Sequence, residues 1–117
     1  MWHEHKSFSS PSETREFPNG RAEILEMGGA EIGRLVLEPG WRWSNDVKPI
    51  AGTDSCQTNH FGYVISGRMH VVMDDGTEAD IGPGDVFAIA PGHDAWTVGD
   101  EPCVGVDWGQ VEHYAQG

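Results

Sequence analysis

The chain has 117 residues, room for one domain with a modest core and no second domain. A formal net charge of −12, from 19 acidic against 7 basic side chains, sets it against nucleic-acid backbones and anionic membrane surfaces as partners. No segment approaches the ~20 apolar residues of a membrane helix. Sixteen glycines and seven prolines, with the apolar residues in short runs, describe a turn-rich all-β protein.

Residues 1–19 are polar, without apolar periodicity, and read as an N-terminal arm or an edge strand leading into a domain over 20–117. They hold no apolar signal core and no Arg-rich transit character, which predicts a cytoplasmic protein. His3 and His5 in this arm are adventitious metal binders at most. Two cysteines, Cys56 and Cys103, are too few for a disulfide scaffold and read as thiols.

Ala22 to Met27 and Gly33 to Glu38 form two β-prone segments separated by Gly28-Gly29 and stopped by Pro39-Gly40. Trp41 and Trp43 stand two residues apart, which on a strand puts both indoles on one face. Ser44 to Ser55 is loop-like. Strands are then predicted over His60 to Ser66 and Arg68 to Met73, with Asp75-Gly76 turning the chain into Thr77 to Ile81. Gly82-Pro83-Gly84-Asp85 leads to Val86 to Ile89, Pro91-Gly92 makes the next corner, and Trp96 to Val98 and Val104 to Trp108 complete the set. Strands at this short, regular spacing point to a sandwich or barrel. His70 falls on the face opposite Met69, Val71 and Met73.

From Trp41 to Trp108 the pattern resembles the cupin superfamily. The resemblance rests on Gly67 closing a first motif, the Asp74-Asp75-Gly76 hairpin, Gly82-Pro83-Gly84-Asp85-Val86-Phe87, and Pro91-Gly92 in a second motif. It implies a single-domain cupin jelly-roll β-barrel (double-stranded β-helix) and a homodimer. Metal-dependent cupins carry His-x-His and Glu in the first motif and one His in the second. Here His60 occupies the Glu position, the His-x-His positions hold Asp54 and Cys56 or Thr53 and Ser55, and Ala95 stands where the last His belongs.

The donors that remain are Cys56, His60 and His93, with Asp54 or Asp94 able to add an oxygen. Three protein ligands and an open position suit a divalent transition metal such as zinc, iron, nickel or manganese. His60 is also the candidate acid/base, assisted by Tyr63 or His93, and Trp43, Tyr63 and Trp96 are candidate walls for a small-molecule ligand. Each has a plainer reading as well. His60 as a hydrogen-bonded barrel residue, Cys56 as a small buried hydrophobe, His93 as a solvated corner and the indoles as core or interface are all open at this point. Three functions follow. One is metal-dependent oxygenase, isomerase or cyclase chemistry on a small organic molecule. Another is a non-catalytic small-molecule-binding or sensor cupin without metal. The third is a subunit or accessory protein whose surface of exposed aromatics is its function.

Overall fold

In the computed structural model, residues 3–109 are described. Nine strands and two single-turn helices follow one another among them: β1 (Glu13–Phe17), β2 (Gly20–Met27), β3 (Ala30–Leu37), α1 (Trp43–Asp46), α2 (Lys48–Ala51), β4 (His60–Ser66), β5 (Arg68–Met73), β6 (Glu78–Ile81), β7 (Val86–Ile89), β8 (His93–Val98) and β9 (Cys103–Asp107). All pairings are antiparallel. One sheet has the order β1-β2-β3-β9-β4-β7 and the other β6-β5-β8.

The two inner faces share one core. Alternation along each strand decides what enters it: β4 turns His60, Gly62 and Val64 inward and leaves Phe61, Tyr63 and Ile65 exposed. Val64, Val71, Phe87, Ile89, Ala95, Leu35 and Leu37 meet in that core with Trp41 and Trp43. The sheets are not joined into one closed ladder. Between the edges β7 and β6 lies an apolar groove lined by Val71, Met73, Ile81 and residues 86–90.

The predicted strand at Trp41 to Trp43 is replaced by a turn and α1. Arg42 donates its backbone N–H to the Asp46 carboxylate at 3.0 Å, which stabilises the helical turn, and both indoles are still buried. The expected loop from Ser44 contains α2, opened by Pro49 in its first turn and ended by Gly52 at φ 75°. Further on, the strand expected at Trp96 begins earlier, at His93, because β8 already pairs there with Met73 of β5; Cys56 adds an isolated bridge to the same residue. No helix among the described residues is long and apolar enough to cross a membrane.

Candidate metal centre

Cys56, His60 and His93 converge from three separate segments, with one donor atom of each lying within 4.8 Å of the others. All three are buried. The loop before β4 delivers Cys56, the first residue of β4 delivers His60 and the first residue of β8 delivers His93. Gly92, at φ 94°, makes the corner that a side chain would strain. Its N–H donates to the Cys56 carbonyl at 2.7 Å, and the Cys56 N–H donates to the His93 carbonyl at 2.7 Å. Ser55 holds the same loop by donating its hydroxyl to Asp74 at 2.8 Å.

Hydrogen bonds set both imidazoles. His93 donates Nδ1–H to the Ala90 carbonyl at 2.9 Å, which leaves Nε2 with its lone pair. His60 Nδ1 is hydrogen-bonded to the carboxylate of Asp107 on β9, while its Nε2 lies 3.7 Å from Cys56 Sγ. Asp107 has no exposed surface, and its other oxygen accepts the backbone N–H groups of Phe61 (3.2 Å) and Gly109 (2.9 Å). A buried carboxylate held by main-chain donors therefore fixes the tautomer of His60. The His60 and His93 rings meet edge-on, with centroids 5.1 Å apart.

Burial pushes the Cys56 thiol up, but hydrogen bonds from His60 and His93, and their charge, outweigh it and bring it down to about 6. Burial likewise lowers His60, yet Asp107 and Cys56 raise it to about 9. Each partner therefore favours the charged form of the other, thiolate beside imidazolium. Cys103, buried with no such partner, is pushed up to about 11.

The three donors border a small cavity, about 30 Å³. Its other walls are apolar: Leu35, Leu37, Trp41, Trp43, Met69, Phe87, Ile89 and Ala95. Residue 62 has no room for a side chain, since a Cβ there would run into the Val106 carbonyl and come 2.7 Å from the Phe87 ring. Trp41 is 3% exposed, and its indole Nε1 is buried without an acceptor among the described residues.

Metal ligation fits this donor set. In a tetrahedral site with Zn–S ≈ 2.3 Å and Zn–N ≈ 2.0 Å, sulfur and nitrogen ligands lie roughly 3.5 Å apart, near the 3.7 Å between Cys56 Sγ and His60 Nε2. One thiolate and two imidazoles is a borderline-soft set suited to zinc, iron or nickel.

Of the expected walls, Trp43 lines the cavity, whereas Tyr63 and Trp96 do not. Tyr63 is 41% exposed on the outer face, because it alternates with the inward residues Gly62 and Val64. It cannot assist His60. Trp96 faces outward on β8, with Arg42 over its ring at 4.1 Å and His70 beside it. Neither oxygen donor reaches the site: Asp54 is exposed beside Lys48, and Asp94 accepts the N–H groups of Ser44 and Ala95. His93 is buried rather than a solvated corner. Sequence reasoning missed Asp107, although an acidic residue at the inward position of Cys103–Asp107 is the signal that marks it.

Residues 53–109 match the family described as cupin domain. The described residues superpose on a protein of unknown function from Rhizobium leguminosarum bv. viciae 3841, with TM-score 0.65, 18% identity, and 92% of this chain and 95% of that one covered. An RmlC-like cupin from Shewanella frigidimarina gives TM-score 0.59 at 19% identity over 89% and 87% of the two chains. Over residues 53–109 the chain carries a cupin domain. KdgF from Halomonas sp. is a further structural neighbour of this cupin, with TM-score 0.56, 18% identity, and 81% and 82% covered. No curated protein matches its sequence.

Proposed function

We propose that this cupin holds one divalent transition metal through Cys56, His60 and His93 and acts with it on a small molecule inside a jelly-roll barrel, in oxygenase, isomerase or cyclase chemistry. The observation that carries the reading is the convergence of three buried donors whose other polar atoms are already engaged. A bound ion would supply Lewis acidity or redox capacity at its open position. Asp107 keeps His60 Nε2 turned to the centre, the Ala90 carbonyl does the same for His93, and the apolar walls exclude bulk water.

The test is elemental analysis of untagged protein prepared without chelator, with a His3→Ala/His5→Ala background to remove adventitious binding. About one equivalent of metal is expected, lost in His60→Ala and in His93→Ala. A wild type that stays metal-free after incubation with zinc, iron(II), nickel and manganese overturns the reading. That outcome would favour the second function, a binding or sensor cupin, for which the thiolate–imidazolium pair already compensates its own charge.

A second copy of the chain is the proposed macromolecular partner. Phe61, Tyr63, Ile65, Val86, Ala88, Val104 and Val106 share the outer face of β4, β7 and β9 and include no charge. On a chain of net charge −12, two copies repel least across such a face. The exposed parts of Phe61, Tyr63 and Trp108 contribute on the order of 250 Å², an apolar centre for an interface that needs about 800 Å² per partner. Tyr63→Lys is expected to shift a dimer to monomer in light scattering. A wild-type monomer at high micromolar concentration would refute it.

A further inference from the structure

The closed cavity at the three donors measures about 30 Å³, against the ~10–15 Å³ that one water occupies by the same kind of measure. The body of an organic molecule does not fit there. Beside it lies the apolar groove between the edge strands β6 and β7, about 470 Å³, within the ~300–1,000 Å³ of small-molecule sites. The two spaces share a wall, since Phe87 and Ile89 line both. Strand register carries the groove up to the donors. Ile89 stands directly opposite His60 in the β4–β7 ladder, and Met73, also in the groove lining, stands directly opposite His93 in the β5–β8 ladder. Directly opposed residues share a face, with Cβ atoms about 5 Å apart. The shared wall is held from one side only, because β7 is a four-residue strand with β4 as its single ladder neighbour.

The lining sets the chemistry of an occupant. Val71, Met73, Ala79, Ile81 and Phe87 supply apolar surface. The polar side chains among them are already engaged: Thr77 donates its hydroxyl to Asp75 and Glu78 is hydrogen-bonded to His70, both at 2.7 Å. Glu78 and the net charge of −12 disfavour an anion. Alternate main-chain N–H and C=O groups of β6 and β7 point away from their single ladders and suit a neutral polar group.

Resting on the metal reading above, we infer that the groove between β6 and β7 seats the substrate, an uncharged, mainly apolar organic molecule carrying a carbonyl or hydroxyl group. Its body lies against Met73, Ala79 and Ile81, and its reacting end meets the metal past Phe87 and Ile89.

The probe is 4-fluoroacetophenone, followed by fluorine NMR in zinc-loaded and in cobalt(II)-loaded protein. The wild type is expected to bind it saturably in both forms, with a broader line under cobalt, whose unpaired electrons relax a nearby nucleus. Ala79 is exposed, lies in the groove lining and pairs with Val71 away from the donors. Ala79→Trp fills the groove and Ala79→Glu sets a charge in its wall. Both are expected to keep the wild-type circular dichroism and metal content and to lose saturable binding.

No saturable binding by the wild type, wild-type affinity in either Ala79 variant, or equal line widths under zinc and cobalt overturns the inference. So does a wild-type dimer that excludes the probe and that Ala79→Glu converts to monomer, since a second copy would then fill the groove. Absence of cobalt uptake by the wild type overturns the metal reading, and this inference with it.

Discussion

Two histidines in this cupin are bonded to carboxylates, and the contrast between them shows what burial adds. His70, on the outer face of β5, places Nδ1 2.6 Å from Asp80 and Nε2 2.7 Å from Glu78. Both of its nitrogens are occupied and both carboxylates are well exposed. His60 has one nitrogen on the fully buried Asp107 and the other facing Cys56. The acid–imidazole pairing is the same, yet only the buried version leaves a ring nitrogen aimed at other donors. An exposed pair is screened and replaceable by water, so it adds little. A buried one fixes a tautomer that water cannot rescue.

The largest effect should come from Asp107→Asn. The new amide can still accept the Phe61 and Gly109 N–H groups, but its NH₂ group would face His60 Nδ1. The imidazole then moves its proton to Nε2, the atom needed for ligation. Metal affinity is expected to fall about 10–100-fold, measured by competition with a chromophoric chelator. Unchanged affinity would show that the buried pair has no more influence than the exposed one.

The second effect concerns pH in metal-free protein. His60 is held above its ordinary 6.5, so its contribution to stability is complete below that pH and is lost as the pH rises through about 9. Cys56 is held below its ordinary 9.0, so its contribution is complete above that pH and is lost as the pH falls through about 6. Between pH 6 and 9 the two trends oppose each other, and wild-type stability is expected to be nearly level. In Cys56→Ser the Asp107 carboxylate alone still raises His60, so stability should decline as the pH climbs above 6.5. Urea denaturation in the presence of chelator checks this, and a level profile in the variant would contradict it.

The smallest effect is expected at the other histidine. His70→Ala should barely change stability and leave metal content as it was. A larger loss by thermal denaturation would mean that its stacking on Trp96 holds β5 and β8 together.

These differences were unevenly legible in the sequence. Strands such as His60 to Ser66 could be read because alternation and the Gly and Pro corners are local signals, and the same alternation placed His70 outside. Applied to β4, it also would have put Tyr63 on the opposite side from His60, so that assignment failed against a signal already available. Trp96 failed for the same reason once β8 begins at His93. The short helices after Arg42 escaped because four-residue turns rest on single contacts such as Arg42 to Asp46, which carry no periodicity. Asp107 lies 47 residues from His60, and only antiparallel pairing of β9 with β4 brings them together. A sequence scan for donors close to one another along the chain does not find such a pair.

The bridge between Cys56 and His93 has one more consequence. Two of the three donors are tied to each other through their own main chains, by the Cys56 N–H on the His93 carbonyl and the Gly92 N–H on the Cys56 carbonyl. Their spacing is therefore inherited from a main-chain bridge and does not depend on an ion to gather them. A chelator should strip this centre and leave a folded socket behind, and metal should return at a speed set by passage through the apolar wall, without a refolding step.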